Sequence, residues 1–92
     1  MLWLSIEMAA SEQRFVYVLR SVEHPQRHYV GVTTDVDARL ASHNNGACER
    51  TREYRPWILH VVIAFTEQQT ALRFEKYLKS GSGRAFAKRH FD

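Results

Sequence analysis

Two short runs of β-branched and aromatic residues, Phe15-Val16-Tyr17-Val18-Leu19 and His28-Tyr29-Val30-Gly31-Val32, flank the polar stretch Glu23-His24-Pro25-Gln26. Runs of this composition favour extended chain, and the proline-bearing stretch between them supplies turn chemistry. The pattern therefore predicts a β-hairpin. The first run is apolar at every position and reads as a buried strand. In the second, Tyr29 and Gly31 share a face, because side chains alternate along a strand.

The rest of the chain supplies the layers around that hairpin. Thr34 is expected to cap a helix carrying Asp35 and Asp37 in its first turn, where the helix dipole favours acids. This helix runs through Val36, Leu40 and His43 and ends at Asn45-Gly46, a left-handed stop. A polar, arginine-bearing loop spans Ala47 to Pro56, and Trp57 to Phe65 is a third strand run. Thr66 and Gln69 have the spacing of a capping box for a second helix, which carries Ala71, Leu72, Phe74 and Leu78 before Gly81. Ser82 or Gly83 is expected to start a last short helix with Phe86, Ala87 and Phe91. The predicted fold class is α+β: a three-stranded antiparallel sheet flanked by helices, in the order β-β-α-β-α-α. Residues 1–13 are read as an N-terminal extension and 14–92 as a single domain.

Size limits the kind of site such a chain can hold. With 92 residues it buries only about 60% of its unfolded surface, so a large enclosed substrate cavity is not expected. A shallow surface site suits a polymeric substrate. Thirteen Lys and Arg against ten Asp and Glu give a net charge of +3, and the pI of about 9.4 is compatible with a polyanionic partner. Placement says more than the total: Arg50, Arg52, Tyr54 and Arg55 cluster in the loop, and Lys79, Arg84, Lys88 and Arg89 follow near the end. The lone Cys48 cannot form an internal disulfide, no Cys/His group has zinc spacing, and a reducing cytoplasm is the expected location. No run approaches the 18 apolar residues of a membrane span, and no membrane association is expected.

Five side chains and one glycine resist a pure packing reading. Glu75 falls inside the arc defined by Leu78, Ala71 and Leu72, the side of its helix that should face the core. A carboxylate there needs a partner or a metal, and Lys79, four residues on, offers the competing explanation of an i,i+4 ion pair. Arg39 and His43 are also four apart, on the inner edge of the first helix beside Val36 and Leu40. A guanidinium there matches phosphate oxygens with paired donors; the plainer reading makes both residues rim and core packing. Tyr17 and Tyr29 lie on adjoining strands, where tyrosines most often pack with a satisfied hydroxyl. Gly31 marks a place where a ligand or another chain segment comes close.

Taken in order, these residues resemble the GIY-YIG nuclease domain family, closest to its small stand-alone bacterial members and related to the N-terminal nuclease module of an excision-repair nuclease. The likeness is carried by Val16-Tyr17, Tyr29-Val30-Gly31-Val32-Thr33-Thr34-Asp35, Arg39-Leu40, His43-Asn44, Thr51-Arg52, Arg55-Pro56 and Glu75-Lys76. It spans about Phe15 to Lys79. Val16 and Phe15 replace the family's isoleucine and glycine, Val32 stands where some members carry a lysine, and no asparagine follows Glu75. The resemblance implies a metal-dependent endonuclease hydrolysing phosphodiester bonds of DNA, with RNA as the alternative polymer and DNA repair or recombination as the setting. It implies Tyr17, Tyr29, Arg39, His43 and Glu75 as catalytic residues, and Glu75 as sole protein ligand of one Mg²⁺ or Mn²⁺. Tyr17 would act on the water with its pKa lowered by Arg39, and Gly31, Arg39, Arg52, Arg55 and Lys79 would contact nucleic acid. A recruiting protein partner fits the absence of a DNA-reading module; oligomeric state is left open. The competing functions are a nucleic-acid-binding module that does not cut and a protein-interaction domain whose aromatics are all core.

Overall fold

The computed structural model describes residues 12–92, so the N-terminal extension lies largely outside the described residues. Both strand runs form: β1 spans Arg14–Ser21 and β2 spans His28–Thr33. They pair antiparallel with Tyr17 opposite Gly31 and Leu19 opposite Tyr29. The third run forms β3, Trp57–Phe65, antiparallel to the other side of β1. The sheet order β2-β1-β3 puts β1 in the centre, which explains why Val16 to Leu19 are all buried. One bulge interrupts the β1–β3 ladder between Val18 and Leu19.

Alternation along β1 divides the interior into two unlike halves. Val16 and Val18 face a wholly apolar core with Ala71, Leu78, Phe74, Phe86 and Phe91. Tyr17 and Leu19 face the other way, onto Trp57, Tyr29, Leu40 and Tyr54. The second half is aromatic and polar, and most of the residues that resisted a packing reading gather on it.

Among the described residues four helices complete the fold: α1 (Val36–Asn44), the short α2 (Glu49–Arg52), α3 (Gln68–Leu78) and α4 (Gly81–Phe91). The order of the expected elements is right, with α2 added inside what reads as a loop. The cap of α1 is Asp35, whose side chain accepts from the Ala38 amide, not Thr34. Thr33 takes the turn before it, its Oγ1 accepting from the Asp35 amide at 3.1 Å. The Thr66–Gln69 capping box does not form; Glu67 occupies the cap of α3 without a side-chain bond. For α4 the cap is Ser80, bonded to the Gly83 amide, a little before the expected start. In each case several polar residues in a row are chemically able to cap, and helix packing selects among them. Gly46 takes φ of +84°, the left-handed stop expected after α1.

Candidate active site

The candidate residues converge because β1, β2 and α1 meet on the polar half of the sheet. Tyr17 is fully buried, with a hydroxyl that contacts His43 Nε2 at 2.9 Å and accepts from Arg39 Nε at 3.4 Å. Arg39 and His43 reach the same hydroxyl because they are one helical turn apart on α1. Tyr29 closes the group, with ring centroids 6.3 Å from Tyr17 and 4.7 Å from His43. Arg39 is exposed and Tyr29 half-buried, so these two form the solvent-facing rim of the cluster.

The direction of each bond follows from the one proton Thr51 owns. Thr51 Oγ1 donates to the Cys48 carbonyl at 3.3 Å and the Tyr17 hydroxyl already accepts from Arg39, so the tautomer that gives every proton an acceptor has His43 Nδ1–H donating to Thr51 at 2.8 Å. His43 Nε2 is then the unprotonated nitrogen and accepts the Tyr17 O–H. Thr51 is itself buried, inside the stretch expected to be a loop, and its carbonyl accepts from the Trp57 indole at 2.8 Å. Asn44 ties the end of α1 to β3, donating to the Trp57 carbonyl at 2.9 Å and accepting from its amide at 2.6 Å. Thr51, Asn44 and Trp57 are thus the supports the sequence reasoning missed as such. The adjacency of Asn44 to His43 was the available signal.

Burial decides the electrostatics. It pushes the Tyr17 phenol above its usual value, and the hydrogen bond and charge of Arg39 only partly oppose this. The expectation that Arg39 turns Tyr17 into a base is therefore corrected: Tyr17 is a neutral phenol at neutral pH. His43 is pushed down, first by burial and then by the Arg39 charge, so it is neutral in the native state. A histidine with a depressed folded pKa binds a proton less readily than in the unfolded chain, whose value is about 6.5. Its contribution to stability is complete above that pH and declines as pH falls through it, levelling off at the folded pKa. The melting temperature is accordingly expected to drop more steeply from pH 7.5 to 5 in the parent than in His43→Gln. Parallel pH profiles by thermal unfolding would contradict this.

Gly31 has a packing reason of its own. A β-carbon there would sit 2.5 Å from the Tyr17 hydroxyl oxygen, so the close approach that the glycine permits is that of the Tyr17 ring. Gly31→Ala is expected to cost about 1–3 kcal/mol, the usual range for overpacking, and to break the Tyr17–His43 bond. Urea unfolding reads the first effect; an unchanged midpoint would count against it.

Glu75 is placed differently from the other candidates. It stands on α3, whose buried residues Ala71 and Leu78 pack on the apolar half of the sheet. Leu72 is 41% exposed, so the arc that enclosed Glu75 on the helical wheel is narrower than expected. The Glu75 carboxylate takes an ion pair with Lys79 at 2.8 Å, with side-chain exposures of 22% and 50%. Lys79 lines the same groove as Tyr29. Among the described residues no hydrogen bond or ion pair joins Glu75 to the Tyr17 cluster. Arg52 and Arg55 pin the loop, Arg52 Nε donating to the Gly46 carbonyl at 3.0 Å and Arg55 Nε to the Arg52 carbonyl at 2.8 Å. Both remain exposed.

A central β1 flanked by two antiparallel strands, with a tyrosine from each of β1 and β2 meeting an arginine–histidine helix face, is the arrangement expected from the resemblance to the GIY-YIG nuclease domain. The family profile of the GIY-YIG catalytic domain matches residues 13–89, and the chain belongs to that family. It is 39% identical over 71 residues to the structure-specific endonuclease subunit SLX1 of Debaryomyces hansenii, covering 70% of this chain and 20% of that protein. Its identity to SLX1 of Candida dubliniensis is 36% over 84 residues, or 84% of this chain and 28% of that protein. The chain thus spans about a fifth to a quarter of these relatives. Among solved structures, the UPF0213 protein BH0048 of Bacillus halodurans superposes with a TM-score of 0.51 at 32% identity, covering 84% of this chain and 81% of that one. No described helix is long and apolar enough to cross a membrane.

Proposed function

We propose that the chain is a divalent-metal-dependent endonuclease that hydrolyses phosphodiester bonds in DNA, with structured DNA of repair or recombination as its substrate. The observation that carries this reading is the hydrogen-bonded set Arg39–Tyr17–His43 beside Tyr29, an arrangement too polar and too well connected for simple packing. The relatives named as structure-specific endonuclease subunits support the substrate class, and the word subunit in their names supports a recruiting protein partner.

Arg39 stands at the rim and grips the scissile phosphate through its paired η donors, while its Nε stays on Tyr17. Tyr29 orients the attacking water. Tyr17 stays protonated and donates its hydrogen bond to His43, which holds Arg39's anchor in one orientation. His43 is neutral, accepts the Tyr17 hydroxyl proton in a hydrogen bond at Nε2 and is in ring contact with Tyr29, so it holds both tyrosines in place. Arg52, Arg55 and Lys79 lie on exposed loop and helix surface where they contact backbone phosphates without reading sequence.

Glu75 suits a hard divalent ion because Mg²⁺ retains most of its waters and accepts a site with one carboxylate. The ion pair with Lys79 is no obstacle, since exposed i,i+4 pairs are worth only about 0.3–0.5 kcal/mol. When bound, Mg²⁺ or Mn²⁺ supplies stabilisation of the leaving oxygen and of transition-state charge.

The test is incubation with labelled duplex, flap, branched and single-stranded DNA and matching RNA, in Mg²⁺, Mn²⁺ or chelator. Metal-dependent cleavage of a structured DNA ahead of plain duplex is expected. The Glu75–Lys79 pair favours one second reading, a binding module that does not cut. It predicts salt-sensitive DNA binding in Mg²⁺ with no product on any substrate.

A further inference from the structure

On the sheet face opposite the Tyr17 cluster, three side chains from three distant segments aim at one point. His28 opens β2, His60 lies in β3, and Asp92 follows the last residue of α4. His60 Nε2 is 3.1 Å from Asp92 Oδ1 and His28 Nε2 is 3.8 Å from the same oxygen. The two imidazole centroids are 5.4 Å apart, and one ligand atom from each of the three residues lies within 4.8 Å of the others. We propose that His28, His60 and Asp92 form a binding site for a transition-metal ion, Zn²⁺ above all, that fastens the end of α4 to the sheet.

Four observations support this. Zinc bonds to nitrogen and oxygen of about 2.0–2.1 Å set tetrahedral ligands roughly 3.3 Å apart; two of the three edges here bracket that value. Next, the register passes from Val61 opposite Val18 to Leu59 opposite Leu19, leaving His60 as the extra residue of the bulge. A bulge re-aims the side chain it carries, and here it turns His60 toward His28 and α4. Third, a carboxylate at the C-terminal end of a helix opposes the helix dipole, so Asp92 gains from a cation held in front of it. Finally, the side chains of His60 and His28 are only 14% and 29% exposed while Asp92 is 46% exposed. The nitrogens are preorganised and the fourth position opens to solvent, where a water completes the shell.

The donor set separates this ion from the one proposed at Glu75. Two imidazoles and a carboxylate suit Zn²⁺, Cu²⁺ or Ni²⁺, whereas Mg²⁺ prefers oxygen alone. Its role is structural: it cross-links the start of β2, the bulge of β3 and the last turn of α4, at positions that carry none of the residues placed in the cleavage chemistry.

The experiment uses the full 92-residue chain without a histidine tag, stripped with chelator. At neutral pH Zn²⁺ is expected to bind one to one. At about a hundred times its dissociation constant it shifts the folding equilibrium about a hundredfold toward the native state, read as a melting temperature about 10 °C or more higher. Any rise with Mg²⁺ belongs to the Glu75 site and is lost in Glu75→Gln, where the Zn²⁺ rise remains. Co²⁺ in its place shows the visible absorption of a four-coordinate nitrogen–oxygen site. His28→Gln and Asp92→Asn are each expected to lose both signals while keeping Mg²⁺-dependent cleavage, which separates this proposal from the catalytic one. Absence of stoichiometric Zn²⁺ binding would leave a plain histidine–aspartate hydrogen-bond cluster and overturn the site. So would binding that survives in the His28→Gln, Asp92→Asn double variant, since Cys48 or His43 would then be the ligand.

Discussion

Glu75→Gln is expected to reduce metal-dependent cleavage by roughly a thousandfold or more, the scale on which removing one charge-stabilising contact is felt in the transition state. The substitution keeps the side chain's shape and its ability to accept from Lys79, and removes only the charge. The fold should barely notice. The pair it weakens is worth about 0.3–0.5 kcal/mol, which for a domain of this size moves the melting temperature by about 1–4 °C. Lys79→Ala provides the contrast. If the carboxylate serves the metal, releasing it from Lys79 lowers the Mg²⁺ concentration needed for half-maximal cleavage. If Glu75 only serves the ion pair, the two variants behave alike. Single-turnover cleavage across a Mg²⁺ titration distinguishes them, and an active Glu75→Gln would remove Glu75 from the mechanism.

Arg39→Lys should lower the single-turnover rate by about 10²–10³-fold although the charge is kept. The reason lies in the geometry of the guanidinium. Its Nε is committed to the Tyr17 hydroxyl at 3.4 Å, which fixes the plane in which the two η nitrogens meet a phosphate. An ammonium offers a point charge with no such plane, and it cannot hold Tyr17 and a bidentate phosphate together. DNA binding at low salt should change little, because the net charge is the same and phosphate contacts are largely interchangeable in their contribution to affinity. Arg39 is exposed, so folding is not at stake. Parental cleavage by Arg39→Lys, or loss of binding in step with the rate, would show that Arg39 does not position the reacting phosphate.

The two substitutions probe different parts of the molecule. Arg39, Tyr17 and His43 share direct hydrogen bonds, so their roles are coupled and their substitutions should not add. Glu75 is bonded to Lys79 instead. A double variant of Glu75 with Arg39 is therefore the more informative one for whether DNA and metal bring the two together.

Much of the architecture was legible in the residue pattern, because hydrophobic period and turn chemistry act locally. The hairpin of β1 and β2, the shared face of Tyr29 and Gly31, the positive-φ stop at Gly46 and the three main helices all follow from near neighbours in the chain. The convergence of Arg39 and His43 follows from helical spacing once α1 is granted. What the pattern could not supply were choices made by packing. Asp35 and Ser80 cap where Thr34 and Ser82 or Gly83 were equally able on chemistry. The burial of Leu72 failed because α3 turns a narrower face to the sheet than its apolar residues suggest.

The sequence alone was enough to determine the class of fold and the family, since these depend on residue types at set spacings; it nominated Tyr17, Tyr29, Arg39 and His43 without showing that they meet. Only the tertiary structure decided how the cluster is bonded and buried. It showed that burial outweighs Arg39 at Tyr17, that Thr51 sets the tautomer of His43, and that Gly31 makes room for a ring. It also paired Glu75 with Lys79 and gathered His28, His60 and Asp92 from three segments. The physical reason is the same throughout. Dielectric, hydrogen-bond direction and ligand convergence depend on which atoms meet across the chain, and no local spacing encodes that.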